Sequence, residues 1–204
     1  MKVAPCFQNL LPFILASASP RRKEMLAALG LHFKVTAAEA DEQVWAEENP
    51  QAYVTRIAKE KARIVASHHP ESWILAADTV VVLDGEILGK PTDREDAVSM
   101  LKRLNGREHE VWTGFCIEQA GLGREVCRAV KTDVWFADLS EPVIRAYVRS
   151  GDPLDKAGSY GIQSQGGFMV RGIRGSYSNV VGLPLAEVIA EMTDLGLIEA
   201  IPTD

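Results

Sequence analysis

The sequence predicts an α/β protein: one α/β/α domain built on a mixed central sheet. Three observations carry this prediction. Short apolar, β-branched runs interleave with helix-period segments along the whole chain, which is the pattern of a layered α/β architecture. Asp84-Gly85 closes the run Trp73 to Leu83, and this residue pair suits a two-residue hairpin turn because both positions need positive φ, so the sheet contains an antiparallel pair. Finally, 204 residues without an internal repeat, a low-complexity segment or a Ser/Gly-rich linker form one large domain and not two. The composition, 47% apolar and 25% charged, excludes the disordered, collagenous and disulfide-scaffold classes.

The elements follow in order. Phe13 to Ala16 is short and apolar enough for a buried strand. Lys2, the run Leu10 to Ala16 and the small residues Ala16-Ser17-Ala18 imitate a signal peptide with its cleavage site. However, Gln8 and Asn9 interrupt the apolar region, Pro12 sits inside it and Arg21-Arg22-Lys23 follow at once, so the buried strand is the preferred reading. Ser19 is then an N-cap, Pro20 the first helical residue, and Arg21 to Leu29 a helix stopped by Gly30. Asn49-Pro50 opens a second helix with Tyr53, Ile57, Ala58, Ala62 and Val65 on one face and the cations Arg56, Lys59, Lys61 and Arg63 along it.

Trp73 to Leu83 is a strand and Glu86 to Leu88 its return. Thr92-Asp93-Arg94-Glu95 reads as a capping box before a helix ending at Gly106. His109 to Glu118 and Val130 to Ala137 read as strands around the turn Gly121-Leu122-Gly123, and Ser140 starts a helix stopped by Gly151. A glycine-bearing loop from Asp155 to Gly167, a strand Phe168 to Ile173 and a helix from Pro184 to Leu195, capped by Gly196, complete the chain. No stretch approaches the ~20 apolar residues of a membrane span, so no membrane partner is expected.

The charge of −6, from 22 basic and 28 acidic residues, argues against a nucleic-acid partner held by bulk electrostatics. A small anion needs only a local basic cluster. Cys6, Cys116 and Cys127 are odd in number, widely spread and form no C-x-x-C pair, which fits unpaired thiols in a reducing compartment and a cytoplasmic location.

Several common motifs drop out. Gly85 to Lys90 has three residues between its glycines where a P-loop has four, and Pro91 replaces the magnesium-binding hydroxyl. There is no G-x-G-x-x-G, H-E-x-x-H or G-x-S-x-G, and His68-His69 sit at a helix end where solvated imidazoles suit the dipole. What remains begins with Ser17-Ala18-Ser19-Pro20-Arg21-Arg22-Lys23, where two hydroxyls and three cations surround a helix N-terminus. An anion site and an ordinary capped helix both fit this segment.

The acids Glu39, Asp41, Glu42, Glu47 and Glu48 read in isolation as a solvated loop. Asp78 differs, because it interrupts the apolar run Ile74 to Val82, where an unpaired carboxylate would cost several kcal/mol. A salt bridge, a metal and a general-base role all satisfy it. Lys61 and Lys90 are point charges of the kind phosphates need, and the loop Asp155 to Gln163 combines small residues with an aromatic and an amide suited to a base edge. Together these parts fit a nucleotide.

The segments Ile14 to Arg22, Glu39-Ala40-Asp41-Glu42, Ala58 to Ala62, Ala77-Asp78-Thr79-Val80, Gly89-Lys90-Pro91, Asp155 to Gln163 and Asn179 to Leu185 resemble, in order, those of the Maf family of nucleoside triphosphate pyrophosphatases. The resemblance covers nearly all of the chain from Phe13 to Leu197. It implies an elongated, ITPase-like α/β fold with an active-site cleft, a divalent metal (magnesium or manganese) and hydrolysis between the α- and β-phosphates. By the same resemblance Asp78 is the proton acceptor and, with Glu42, a metal-associated carboxylate. Lys61 and Lys90 serve catalysis, and Ser17, Ser19, Arg21 and Arg22 bind substrate. Arg21, Thr79 and Gln163 match the members acting on dTTP and UTP and differ from the 7-methyl-GTP type.

The resemblance further implies a homodimer. It also leaves an alternative role, a nucleotide-binding regulator of septum formation and division with incidental hydrolysis. Two features depart from the family pattern. Ser164-Gln165 follows Gln163 where relatives often have glycine, placing a second amide where it would alter the base pocket. Residues 1–12 form an extension before the domain proper, 13–204.

Overall fold

A computed structural model describes residues 4–202 of the chain; Lys2, part of the signal-like region, lies outside the described residues. The strands are β1 (Phe7–Asn9), β2 (Phe13–Ala16), β3 (Lys34–Val35), β4 (Trp73–Leu83), β5 (Glu86–Leu88), β6 (Glu108–Gln119), β7 (Arg124–Phe136), β8 (Val170–Arg174) and β9 (Ile198–Ala200). The helices are α1 (Pro20–Ala28), α2 (Pro50–His68), α3 (Arg94–Leu104), α4 (Glu141–Arg149), α5 (Tyr177–Val181) and α6 (Leu185–Asp194). The main sheet has the order β3-β2-β4-β6-β7-β8, with β5 also paired to β4. β2 runs parallel to β3 and β4, and the other pairs are antiparallel, so the sheet is mixed as expected.

Successive side chains of a strand point to opposite faces, and β4 divides its apolar residues accordingly. Leu75 and Ala77 pack with Leu26 of α1 and Val188 and Met192 of α6, and further along Val81 and Leu83 pack with Leu101 of α3 and Ile144 of α4. Ile74, Ala76, Val80 and Val82 face α2, against Val54, Ile57, Ala58 and Ala62. Helices therefore cover both faces of the sheet, the α/β/α arrangement. α2 lies so close to β6 at Gly114 that a Cβ there would stand 2.3 Å from the Val54 carbonyl oxygen.

One detail of the pairing creates the cleft. β2 pairs with β4 only from Trp73 to Ala76, and β5 takes the same edge from Val81 to Leu83. Among the described residues, no strand lies beside the edge from Ala77 to Val80. Both Asp78, on the α2 face, and Thr79, on the opposite face, reach this gap.

Several local expectations are corrected. The cap of α3 is Asp93, whose side chain accepts from Asp96 N at 2.8 Å, while Asp96 Oδ2 accepts from Thr92 N at 2.8 Å; Glu95 instead pairs with Arg145. The box is shifted by one residue because Asp caps as well as Thr. β7 starts at Arg124, since Gln119↔Arg124 continues the pairing with β6 through a stretch too polar to read as a strand. The segment Gln165–Met169 is a 3₁₀ turn, so β8 begins at Val170. Within the N-terminal extension, Phe7–Asn9 pairs antiparallel with Ile198–Ala200, and Phe7 packs on the core beneath α1 and α6.

The cysteines also depart from the reading as unpaired thiols. Cys116 and Cys127 lie directly opposite each other on β6 and β7 and form a disulfide, while Cys6 is free and exposed. A hairpin brings together residues that are 11 apart in sequence, so their spread along the chain says nothing about their distance in space. Among the described residues, no helix is long and apolar enough to cross a membrane.

Candidate active site

The gap in β4 opens into a cleft of about 660 Å³ lined by the Ser17–Arg22 segment, Glu42, Lys61, Asp78, Thr79, Lys90 and Gln163. β2 delivers the chain to Ser17, and Pro20 starts α1 three residues later. Ser17 Oγ accepts from Ser19 N at 3.2 Å and from Arg22 Nη1 at 3.1 Å. Its own proton is left to donate into the cleft. Ser19 takes the backbone geometry of an N-cap, yet its side chain makes no capping bond. The first N–H groups of α1 are therefore left without that partner, at the positive end of the helix dipole.

Arg22 is buried and turned inward. Its Nε donates to Gly182 O at 2.7 Å, Nη1 to Ala77 O at 2.8 Å and Nη2 to Thr79 Oγ1 at 3.0 Å. Ala77 belongs to the unpaired edge of β4, so the guanidinium supplies a donor that a neighbouring strand would otherwise provide. With the Ser17 contact, four of the five N–H groups are used and one is left for a ligand. Burial pushes the Arg22 guanidinium below its ordinary value, and the charge of Asp78 opposes that shift.

Thr79 serves this clamp. Thr113 Oγ1 donates to Asn179 O at 3.1 Å, so the Thr79 hydroxyl, 2.9 Å away, donates to Thr113 and accepts from Arg22. Asn179 in turn donates to Val111 O at 3.1 Å and Thr132 Oγ1 at 3.0 Å, tying α5 to β6 and β7. The Thr79 hydroxyl is thus engaged by protein groups, and any contact with substrate that the resemblance implies for Thr79 comes in addition to this clamp. Sequence reasoning missed Thr113, although a fully buried hydroxyl between apolar neighbours is the same kind of signal that singles out Asp78.

The acidic wall is held by one lysine. Lys61 Nζ donates to Asp78 Oδ1 at 2.8 Å and to Glu42 Oε1 at 2.7 Å. The side chains of Lys61 and Asp78 are each 11% exposed, while that of Glu42 is 49% exposed. Burial works against the charge of Glu42, but the Lys61 hydrogen bond and the charges of Lys61, Lys90 and Arg22 outweigh it and hold the carboxyl below the usual range. The Tyr53 hydroxyl donates to the Glu42 carbonyl at 2.9 Å.

Of the four α2 cations, only Lys61 enters the cleft. Arg56 binds Glu48 and Glu60, and Lys59 and Arg63 bind Glu125. Lys90, in the connection after β5, makes no ion pair or hydrogen bond among the described residues and adds a free positive charge to the cleft.

The far side of the cleft is the loop after α4. Asp155 bridges Arg21 at 3.4 Å and the buried Lys156 at 2.7 Å, joining this loop to α1. Asp152 accepts from Tyr147 at 2.7 Å and from Ser164 at 2.6 Å. Gly158 packs its backbone on Val81, whose side chain would lie 2.7 Å from a Cβ, and has a φ of +64°. Gln163 is exposed at the cleft and its amide makes no protein hydrogen bond among the described residues. Ser164 and Gln165 do not join it: Ser164 is fastened to Asp152, and Gln165 lies in a separate groove with Tyr147 and Phe168.

The carboxylates fit a hard divalent cation. Glu42 and Asp78 each spend one oxygen on Lys61, and their second oxygens accept no hydrogen bond among the described residues. No third carboxylate, imidazole or thiol among the described residues closes on the pair within 4.8 Å. Two carboxylates completed by phosphate oxygens and water is the donor set that magnesium favours.

The chain is similar to several known proteins. The dTTP/UTP pyrophosphatase of Myxococcus xanthus (strain DK1622) is 54% identical over 184 residues, covering 90% of this chain and 92% of the relative. The dTTP/UTP pyrophosphatase of Desulfotalea psychrophila is 54% identical over 181 residues, covering 89% and 93%. A solved structure of the Staphylococcus aureus Ham1 protein is similar at 13% identity and a TM-score of 0.45, covering 62% of this chain and 72% of that one. Residues 12–195 match the family described as Maf-like protein, and the chain belongs to that family.

Proposed function

We propose that the protein is a nucleoside triphosphate pyrophosphatase that hydrolyses dTTP and UTP to the nucleoside monophosphate and pyrophosphate. The observation that carries this reading is the Glu42–Lys61–Asp78 cluster facing the Ser17–Arg22 segment across the gap in β4. One wall supplies carboxylates and the other supplies donors, which is what a triphosphate with a metal counter-ion requires. The size of the cleft suits a single nucleotide and not a duplex.

The residues divide the work. The open N–H groups of α1, the Ser17 hydroxyl and the remaining Arg22 N–H bind phosphate oxygens, and Arg21 and Lys90 add positive charge along the chain of phosphates. Ser19, uncommitted as a cap, has its hydroxyl available to the same oxygens. Glu42 and Asp78 hold the metal, which when bound polarises phosphoryl oxygens. Asp78 accepts a proton from the attacking water; the water oxygen bonds to the α-phosphorus, the α–β anhydride bond breaks, and pyrophosphate leaves. Lys61 keeps both carboxylates in place and balances their charge. Gln163, whose amide both donates and accepts, reads the pyrimidine edge, and a base leaving those bonds unmade is rejected. The cytoplasm, where such substrates occur, is the corresponding place of action.

The test is a panel of triphosphates with magnesium or manganese, with pyrophosphate measured directly. dTTP and UTP should be the best substrates, and Asp78→Asn should abolish turnover with the fold retained. Orthophosphate as the only inorganic product, 7-methyl-GTP as the best substrate, or near-normal kcat in Asp78→Asn would overturn the reading.

A further inference from the structure

Glu42 lies on a segment without helix or strand, between β3 and α2, and something must hold it opposite Asp78. Three α2 side chains reach it. Lys61 takes the carboxylate, Tyr53 takes the Glu42 carbonyl, and Arg56 takes the next carbonyl, Gln43 O, at 3.0 Å. Arg56 also forms a two-point fork with Glu48, Nε to Oε1 at 2.7 Å and Nη2 to Oε2 at 2.8 Å, and its face lies 3.9 Å over the Trp45 ring. Glu48 Oε2 accepts from Trp45 N at 3.2 Å and closes the turn on itself. The Arg56 and Glu48 side chains are 13% and 7% exposed, so this is an inward-facing pin and not a solvated surface pair.

We infer that Arg56 is a positioning residue for Glu42: beside the direct contacts of Lys61 and Tyr53, it fastens the Gln43–Glu48 segment to α2 and thereby helps to set the Glu42 carboxylate opposite Asp78 for a divalent cation. The inference rests on the reading of Glu42 and Asp78 as metal carboxylates. Arg56 touches neither substrate nor metal. Lysine cannot replace it, because an ammonium provides neither the fork nor the planar face that Trp45 covers.

The experiment is titration of the purified protein with Mn²⁺, free Mn²⁺ being read by electron paramagnetic resonance, alongside thermal unfolding. Arg56→Gln should weaken Mn²⁺ binding about tenfold, the scale of losses on removing a group that orients a metal ligand. Glu42→Gln should weaken it at least as much, and the double variant no further than Glu42→Gln alone, because the two act through one carboxylate. Arg174→Gln breaks a different ion pair, with Asp133 at 2.7 Å, and should leave Mn²⁺ binding unchanged. Should Arg56→Gln fold poorly, Arg56→Lys and Tyr53→Phe carry the same test. If Glu42→Gln weakens binding and the Arg56 and Tyr53 variants do not, or if the losses from Arg56→Gln and Glu42→Gln multiply, positioning is overturned while the metal assignment stands. If Glu42→Gln itself binds Mn²⁺ normally, the metal assignment falls and the inference falls with it.

Discussion

Replacing Lys61 by methionine keeps the length and bulk of the side chain and removes only its charge and donors. Asp78 then keeps a carboxylate that is 11% exposed and has lost its hydrogen-bonded cation. Removing one partner of a buried pair costs about 3–5 kcal/mol, whereas the half-exposed contact with Glu42 adds no more than about 1 kcal/mol. Arg22 lies near enough to act on Asp78 through its charge, so the low end, about 3 kcal/mol, is the expected loss. For a chain of this size that lowers Tm by about 6–12 °C. The assay is thermal unfolding near neutral pH with a chelator present, for Lys61→Met, Asp78→Asn and the double variant. The double variant should recover most of the loss, because it no longer buries a stranded charge. Added magnesium should also raise Tm more in Lys61→Met than in the original protein, since a cation then takes the place of the ammonium. A Tm loss below about 2 °C, or a double variant no more stable than Lys61→Met, would refute the argument that Asp78 depends on Lys61.

Three further outcomes are expected. His109, buried against Phe136 and Tyr160, has its imidazole pushed down to about 4 by burial, so the native state stays neutral where the unfolded chain takes up a proton. Stability should therefore fall as pH drops from about 6.5 towards 4, by up to about 3 kcal/mol in denaturant titrations, and a His109→Asn variant lacking this slope confirms it; an equal slope in both refutes it. Thr79→Val should raise KM for dTTP and UTP alike and lower stability by about 1–3 kcal/mol, because Arg22 and Thr113 lose a partner; a changed preference among bases with KM intact would refute this and assign Thr79 to base selection. Alkylation of the unfolded chain without reductant should label Cys6 alone, and labelling of all three cysteines would disprove the Cys116–Cys127 bond.

The legible parts of the fold are those whose cause lies within a few residues. Asn49-Pro50 opens α2 as expected, with Asn49 accepting from Ala52 N at 2.9 Å, and Asp84-Gly85 makes the hairpin turn with φ values of +53° and +82°. β1, β3, β9 and α5 are not legible in the sequence because each is five residues or fewer and is stabilised by what lies beside it. β7 is only half legible for the same reason: Arg124 to Ala129 is strand because β6 is there to pair with it.

The candidate site divides along the same line. A carboxylate amid Ile74 to Val82 must have a partner, and that much follows from the cost of burying charge. Which of four α2 cations answers it, the composition does not reveal; the packing of α2 over β4 turns Lys61 inward and leaves Arg56 to hold the segment that carries Glu42. Likewise the family motif marks Thr79, but only the gap between β2 and β5 shows why it matters, since there Arg22 replaces a missing strand and needs a hydroxyl to orient it. By itself, then, the sequence determined the α/β architecture, the residue types of the cleft and the need for each buried charge to be met. Tertiary structure decided the pairings, including the disulfide and the fork on Arg56, because contacts between distant residues depend on how helices and strands pack, and local preference does not encode that.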